Sequence, residues 1–388
     1  MKSKILYCAV AILLSAQVAW SQQLESIETE RFVMTGYGDV KYESADLTDS
    51  RAFSGRFVPI FLFRLNKKMH AEAELEISQD AEGETEVELE YANIHYFLTD
   101  TTTVTAGKFL LPFGQFGSNW HPSWINRTPW TPGIYGSHGG SQAMKPLLPV
   151  LSDVGVAVQQ TIPLTGNQKV FLQLFLTNGA RSEAEEEEEA EEHAEEEAEE
   201  TLPEVAFEST NGDNNKDKAV GGRLAYAYLP SLEFGASYYK TSYDEEEELD
   251  IVANGLDINV LVGRNFLFRG EYIRTETDGL VEEEEEEGED GEEGKTKKQT
   301  FKREGWFWQA ALQARLIDQK LDGIELVLEQ AEARKIEEAT RWVYGINYWL
   351  DTRSVLKLAH EITDLREDKD DSDGDPYTRT ALMFSYGF

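Results

Sequence analysis

Glutamates recur at alternate positions in two neighbouring stretches of the sequence, around residues 72–76 and 88–90. In a β-strand, side chains two positions apart point to the same face, so each stretch would align its carboxylates in a row. A row of negative charges on one wall of a narrow passage creates an electric field that orients dipolar solutes. The carboxylates in question are Glu72, Glu74, Glu76, Glu88 and Glu90.

The segment that follows these glutamates has the opposite character. From Thr101 to Ser152 it contains no Asp or Glu, although 73 of the 388 residues of the chain are acidic. It is rich in Pro and Gly, and a long loop with so few charges is poorly suited to an exposed tip. We therefore predict that residues 111–151 fold inward and face the glutamates. The side chains predicted to complete this constriction are Trp120, His121, Trp124, Arg127 and Lys145.

Two interpretations of this arrangement stay open at the level of sequence. In the first, the glutamates and the loop form opposite walls that select solutes. In the second, the glutamates only neutralise Arg127 and Lys145 and so hold the loop in place. The other positions predicted to face the passage are mixed in charge, as suits a general pore, and include Arg223, Arg269, Glu271, Arg315, Glu325, Glu329, Arg341, Lys357 and Arg379.

The elements that position these residues are predicted from an alternation with a period of two. Between Trp306 and Leu316, apolar residues occupy one face, while Gln309, Gln313 and Arg315 occupy the other. The same alternation recurs in several other stretches, including the last nine residues, TALMFSYGF. Runs of about ten residues with one apolar face and one polar or small face are typical of transmembrane β-strands.

This pattern predicts sixteen strands, joined by connections that are on average short at one end and long at the other. Such an arrangement places both termini on the periplasmic side of an even-stranded barrel. The predicted strands are 31–43, 50–65, 68–78, 86–98, 102–110, 152–162, 168–178, 219–229, 231–243, 255–262, 265–277, 304–316, 322–331, 339–349, 353–364 and 377–388.

A soluble β-sandwich with one solvated face would alternate in the same way. Aromatic residues at strand ends, such as Trp342 and Tyr386, favour a barrel in a membrane, because girdles of aromatic side chains lie at the membrane interfaces. The predicted fold class is therefore all-β, a transmembrane antiparallel β-barrel of about 16 strands with its long third loop folded inward. A barrel of this size leaves an aqueous channel.

The first 21 residues have the pattern of an export signal. Lys2 and Lys4 precede an apolar run over 5–14, and a small-x-small site follows at 19–21. Cys8 lies within this signal, so we expect residues 22–388 to form a barrel domain without disulfides. No later apolar stretch reaches the roughly 18 residues that a membrane-spanning helix needs.

The formal net charge of −37 comes largely from acidic stretches in predicted outward loops, of which 183–200 contains 13 carboxylates. Like charges without apolar residues to bury do not fold on themselves, so we expect mobile polyanionic loops. They would either concentrate cations near the mouth of the barrel or simply keep its surface solvated. The acidic loops are predicted near 179–218, 244–254, 278–303 and 365–376.

One acidic stretch resembles part of a calcium-binding loop through Asp371, Asp373 and Asp375. The first ligand position of the EF-hand pattern would be Lys369, and no Glu follows at the required offset. These three aspartates are therefore weak metal candidates, and the sequence predicts no cofactor.

Three stretches resemble porins of the phosphate-selective porin O/P superfamily: TGYGDV at 35–40, EVELEYA at 86–92 and VTAGKFLLPFG at 104–114. The last is the most specific, because it carries a Gly-x-x-x-x-Pro-x-Gly exit from a strand into the long third loop. The resemblance covers roughly residues 31–160.

The resemblance implies a sixteen-stranded barrel that is usually trimeric, with the third loop folded inward. It also implies that Phe388 is the terminal signal recognised by the barrel-assembly machinery. Phosphate selectivity in the named members depends on lumen lysines and an arginine ladder, and neither is found here. The phosphate substrate is therefore not carried over.

The leading functional hypothesis is a channel in the Gram-negative outer membrane, surrounded by lipid, through which small hydrophilic solutes or ions diffuse passively. The alternative is an outer-membrane receptor that captures metal ions or metal complexes with its acidic loops and uses the barrel as a scaffold. An enzyme is disfavoured because no Ser-His-Asp arrangement stands out and the chain has only six histidines. The negative charge disfavours nucleic-acid binding.

Overall fold

The structure is a computed structural model that describes residues 31–79, 83–136, 143–182, 202–207, 215–245, 248–282, 296–336, 338–366 and 376–388. Three predicted features lie outside the described residues. They are the export signal at 1–21, the acidic runs within 183–200 and 283–293, and the calcium-loop candidates Asp371, Asp373 and Asp375.

Most of the described residues form β-strands. Short helical turns at Phe116–Trp120, Ala314–Leu316 and Gln319–Leu321 lie in the connections. The strands are β1 Phe32–Ala45, β2 Ser50–Asn66, β3 Met69–Gln79, β4 Thr85–Phe97, β5 Thr102–Leu110, β6 Ser152–Pro163, β7 Gln168–Thr177, β8 Arg181–Ser182, β9 Val205–Ala206, β10 Ala219–Tyr228, β11 Leu232–Ser242, β12 Asp250–Val262, β13 Phe266–Glu282, β14 Thr296–Gln313, β15 Ile324–Arg334, β16 Glu338–Trp349, β17 Ser354–Arg366 and β18 Tyr377–Gly387.

Sixteen of the described strands close into one antiparallel barrel, which confirms the predicted fold class. Neighbours in sequence are neighbours in the barrel, except that β7 pairs with β10 because β8 and β9 form a separate two-stranded sheet. One end of the barrel, the turn end, carries short connections such as 67–68 and 350–353. The opposite end, the loop end, carries the long connection 111–151 and the acidic connections.

The alternation in sequence becomes an alternation of exposure across the barrel wall. In β12, Leu256 is 58% exposed, whereas its neighbour Asp257 is only 5% exposed. In β18, Leu382 is 45% exposed and Met383 is 2% exposed. Large apolar residues therefore mostly point away from the barrel, and most inward positions are polar or small, with Met383 as an apolar exception.

This orientation makes the outer face of the barrel a largely apolar surface. Large side chains such as Phe234, Leu224 and Tyr344 are half exposed on it. Leaving a Leu or Phe side chain in water rather than burying it costs about 1.5–3 kcal/mol, so the outer face is suited to lipid. No helix among the described residues is long and apolar enough to cross a membrane.

Glycines at the closing seam of the barrel make room for the aromatic residues of the last strand. The β1–β18 pairing runs from Tyr37 opposite Gly387 to Ala45 opposite Arg379. A Cβ on Gly38 would lie 2.7 Å from the hydroxyl oxygen of Tyr386, closer than real Cβ contacts allow. The glycine pattern of TGYGDV thus lets the terminal aromatic side chains lie flat on β1.

Two acidic connections are shorter than predicted. β12 begins at Asp250, inside the predicted loop 244–254, and the β13–β14 hairpin leaves only 283–295 of the predicted loop 278–303 as its connection. Polar cross-strand partners extend this hairpin: Asp278 accepts from Thr300 (2.7 Å) and pairs with Lys298 (2.8 Å). Such pairs stabilise strands that lack an apolar face, so hydrophobic alternation alone did not predict them.

We expect Gly38→Val to destabilise the closed barrel. The added side chain would collide with Tyr386, and overpacking of this kind costs about 1–3 kcal/mol. The measurement is the temperature at which the compact, SDS-resistant band unfolds on gels. Ala106→Val, at an exposed position on the outer face of β5, is the matched control and should melt like the wild type. Equal melting of both variants would contradict the steric role of Gly38.

Candidate functional site

The connection between β5 and β6, here called the inward loop, consists of residues 111–151 and is described except for 137–142. Its two arms are joined where the backbone N–H of Leu111 donates to the carbonyl of Leu151 (2.9 Å). Farther in, Phe113 packs against Gly255 on the inner face of β12. Trp124 lies against Gly387, near the turn end. The loop therefore folds inward, as predicted, and extends along much of the barrel.

A buried ammonium group of the wall binds the deepest part of this loop. Lys357 on β17 is fully buried, and an unpaired charge in such a place would be strongly destabilising. Its Nζ donates to three backbone carbonyls, those of Ser123, Asn126 (2.7 Å) and Thr128 (3.3 Å). The loop thus provides hydrogen-bond acceptors for the buried ammonium group. The lysine in turn provides a donor for loop carbonyls that have no strand partner.

A carboxylate on the opposite side of the loop binds backbone N–H groups. Glu271 on β13 accepts from the N–H of Gln115 (2.8 Å) and from the N–H of Phe116 (2.7 Å). It also accepts from the hydroxyl of Tyr135 on the returning arm. Burial, and after it the nearby Glu271 carboxylate, raises the pKa of Tyr135 well above its usual value, so this hydroxyl stays a donor. Glu271 therefore links both arms of the loop.

Gly114 allows the backbone to approach this carboxylate. Its φ is +61°, in the region that favours glycine, and a Cβ there would lie 2.2 Å from Oε2 of Glu271. Its N–H donates to Oγ of Ser237 on β11 (3.0 Å). The glycine of the strand-exit motif is thus required by close contact with the wall.

Two tryptophans of the loop lie over guanidinium groups of the wall. The Trp120 ring is 4.9 Å from the Arg269 guanidinium carbon, and the Trp130 ring is 4.4 Å from that of Arg379. The indole N–H of Trp130 also donates to Glu43 (2.6 Å). Cation–π contacts that exclude water contribute about 2 kcal/mol, so these rings add to the docking of the loop.

Ion pairs complete the layer between the loop and the wall. Arg341 is fully buried and pairs with Glu329 (3.0 Å) and with Glu361 (2.7 Å). Arg379 shares Glu361 (2.8 Å), and the carbonyl of Thr131 in the loop accepts from Arg341 (3.0 Å). The residues predicted to give the passage a mixed lining are therefore largely covered by the loop.

The predicted glutamate row lies on the inner side of β3 and β4, where each member has its own surroundings. Glu72 is 2.9 Å from Nε2 of His95, and Glu76 is 3.0 Å from the guanidinium of Arg56. Glu74 accepts from the hydroxyl of Tyr37 (3.1 Å). Glu88 is exposed, and Glu90 is buried at a bulge where β4 has one residue more than β3.

The structure brings one predicted loop residue to this row. Nε2 of His121 is 3.8 Å from Oε1 of Glu74. Arg127 lies elsewhere: its guanidinium is 3.4 Å from Glu325 on β15 and lies over the ring of Trp349. The interpretation in which the glutamate row neutralises Arg127 is therefore wrong, because Glu325 is nearer to the deep part of the loop.

The other predicted constriction residues are dispersed. Trp120 is buried between the loop and the wall, and Trp124 is partly buried at the turn end. Lys145 is exposed, and its backbone carbonyl accepts from Arg303 on β14 (2.9 Å). No group of three or more His, Cys, Asp or Glu side chains in the described residues is arranged to hold a metal ion.

Sequence reasoning missed the residues that hold the loop, above all Lys357 and Glu271. The sequence places both on the inner face of the barrel, but only as part of its lining. The available signal was the loop itself, because a long inward segment rich in Pro and Gly has many backbone groups without partners. Charged residues at inward positions are the natural partners for those groups.

One part of the inner wall is not covered in this way. Along β2–β7, several inward side chains stay partly exposed: Arg56 and His95 each retain 18% of their side-chain surface and Glu72 retains 25%. Nearby inward positions carry neutral polar groups such as Thr105 and Gln159. The inward loop therefore divides the interior into a packed half and a half with accessible polar side chains.

No protein-family model matches the sequence, and no curated protein is significantly similar to it. Solved structures, however, share its fold. An anion-selective porin from Comamonas acidovorans aligns with a TM-score of 0.55 at 12% identity, covering 92% of this chain and 99% of that chain. Salmonella typhi OmpF in complex with daunomycin gives 0.55 at 13% identity, covering 92% and 97%.

The trimer form of in-vitro folded OmpT, an outer membrane protein of Vibrio cholerae, gives a TM-score of 0.50 at 8% identity. The alignment covers 92% of this chain and 99% of that chain. At such low identities the likeness establishes the fold alone. The chain thus has the barrel fold of general Gram-negative outer-membrane porins.

We expect Lys357→Met to release the deep part of the inward loop. Methionine keeps the volume but removes the donor to three buried carbonyls, and each carbonyl left unsatisfied costs about 1–3 kcal/mol. Limited proteolysis should then cleave near Ser123–Thr128 in barrels that still run as compact bands. Lys297→Met, at an exposed position of the loop end, is the control and should leave the cleavage pattern unchanged. Full protection of Lys357→Met would argue against the anchoring role.

Proposed function

We propose that this protein is a channel of the Gram-negative outer membrane through which small hydrophilic solutes or ions diffuse passively. The observation that carries the proposal is the combination of an apolar outer face with a polar interior that the inward loop packs on one side only. A loop that plugged the barrel would need contacts around the whole wall. The partly exposed side chains of β2–β7 instead line a path along the barrel.

We propose that the constriction lies where the loop comes close to β3. The support is the 3.8 Å approach of His121 to Glu74, with Glu72 and Glu76 on the same face of β3. Trp124 and Arg127 would border the path toward the turn end. The margins of the constriction would contribute through packing or through charge at a distance, and the residues there are Trp120, Lys145, Glu88 and Glu90.

Membership of the phosphate-selective porin O/P superfamily is part of this proposal. Two glycines of the strand-exit motif support it, since Gly107 has a φ of +121° and Gly114 a φ of +61°. Both values lie in the region that glycine adopts and other residues avoid, so the motif has a conformational reason. Phosphate as a substrate is not proposed.

The remaining parts of the proposal concern export and assembly. Residues 1–21 would direct export, and the acidic loops would project from the loop end. Recognition by the barrel-assembly machinery would use Phe388, whose ring stacks on Phe57 at 5.3 Å beside the closing seam. Three copies would associate in the membrane, as the trimer form of Vibrio cholerae OmpT does.

We expect the purified protein to give steady, ohmic conductance steps in planar lipid bilayers. His121→Ala should enlarge the steps, because it removes the ring that separates the loop from Glu74. His360→Ala, on the exposed outer face of β17, is the matched control and should conduct like the wild type. Folded, SDS-resistant protein without any conductance would refute the channel function. Conductance steps of unchanged size in His121→Ala would show that the constriction lies elsewhere.

A further inference from the structure

The basic residues of the barrel interior are unevenly available to a passing solute. Arg269, Arg341 and Lys357 are each at most 2% exposed. Their charged groups are directed at the inward loop or at buried carboxylates, and a group with no exposed surface cannot touch a solute in the channel. These positive charges therefore hold the loop in place and do not contact a solute in the channel.

Acidic residues, by contrast, lie on the uncovered wall. On β3, Glu72 retains 25% and Glu76 retains 12% of its side-chain surface. The carboxylates of Glu74 and of Asp39 on β1 lie close to them but are buried, and Glu43 on β1 is paired with Lys41 (3.0 Å). Arg56 is bound by two of these carboxylates, Asp39 (2.8 Å) and Glu76 (3.0 Å). One positive guanidinium bound by two negative carboxylates leaves the three groups together with a net negative charge.

Where the inward loop meets this wall, the ring of His121 comes close to Glu74 without a hydrogen bond between them. Nδ1 of His121 is hydrogen-bonded to the carbonyl of Gly117, so its Nε2 is the ring atom that faces Glu74. The His121 side chain is nine-tenths buried, and Nε2 has no hydrogen-bond partner. A ring nitrogen and a carboxylate oxygen 3.8 Å apart form a place that favours positive charge.

The walls that face Glu72 and Glu76, here called the acidic strip, carry side chains that are neutral or already paired. Inward positions of β5–β7 provide hydroxyls and amides such as those of Thr105, Gln159 and Gln173. Arg127 is paired with Glu325. Arg64 and Lys169 lie next to the turn-end connections 67–68 and 164–167, away from the approach of His121.

We propose that the channel prefers small cations to anions, and that Glu72 and Glu76 on β3 set this preference. The inference rests on the proposed channel function and specifies the class of solute that passes. The acidic strip is part of the barrel wall, so the cation preference does not depend on the acidic loops at the mouth. A field from one acidic wall raises the local concentration of cations and lowers that of anions.

The test is the reversal potential of the full chain in bilayers across a KCl gradient, which gives the permeability ratio of K⁺ to Cl⁻. The wild type should favour K⁺. Glu72→Gln keeps a hydrogen-bonding group for His95 but removes one charge, and should lower the ratio by roughly two- to fivefold, as expected for one charge about 4 Å away in water. Glu76→Gln, at a second position of the strip, should act in the same direction.

Controls separate this inference from its alternatives. Glu338→Gln, at an exposed position near the loop end of β16, should leave the ratio unchanged. A chain lacking the acidic runs within 183–200 and 283–293 should still favour K⁺. Loss of cation preference in that chain, with no effect of Glu72→Gln and Glu76→Gln, would overturn the inference and assign selectivity to the mouth. A conducting channel that favours Cl⁻ would also overturn it, whereas absence of conductance would refute the channel itself.

Discussion

The structure depends on one constraint, that a chain segment placed inside a barrel must find partners for its backbone N–H and C=O groups. An irregular segment has no neighbouring strand to supply them, and the apolar outside of the barrel offers nothing. Here side chains of the wall take that role: Lys357 binds carbonyls of the deep part of the inward loop, and Glu271 binds N–H groups near its start. The loop and its wall are therefore one unit, and neither is satisfied without the other.

This constraint also explains how charge is distributed in the interior. Buried charges are tolerated only when they are paired or fully hydrogen-bonded, so Arg341 and Lys357 lie where the loop and the carboxylates surround them. Because these basic side chains are paired in this way, the wall that the loop leaves partly exposed retains an excess of carboxylates. The asymmetry of the channel is thus a consequence of how the loop is held.

The sequence predicted the barrel because the signal for a membrane strand is local. Alternation of Leu256 and Ile258 with Asp257 identifies a strand and both of its faces without knowledge of the neighbouring strands. The inward course of the loop was also predictable, from its lack of carboxylates. The contacts that hold it were not: Lys357 and Ser123 are 234 positions apart, and no local pattern states which wall residues the loop will meet. The extended β13–β14 hairpin escaped prediction for a related reason, since its polar pairs carry no hydrophobic period.

The lack of Asp and Glu between Thr101 and Ser152 has a physical reason in this arrangement. A carboxylate on the loop would lie either among the buried glutamates of the packed half or opposite the acidic strip of β3. In the first place it would compete with backbone carbonyls for Lys357 and Arg341, and in the second it would repel Glu74 across a gap of a few ångströms. In a chain this acidic, the loop can enter the barrel because it contains no Asp or Glu of its own. The same sequence property that marks the loop as unusual is thus the condition for the fold that surrounds the channel.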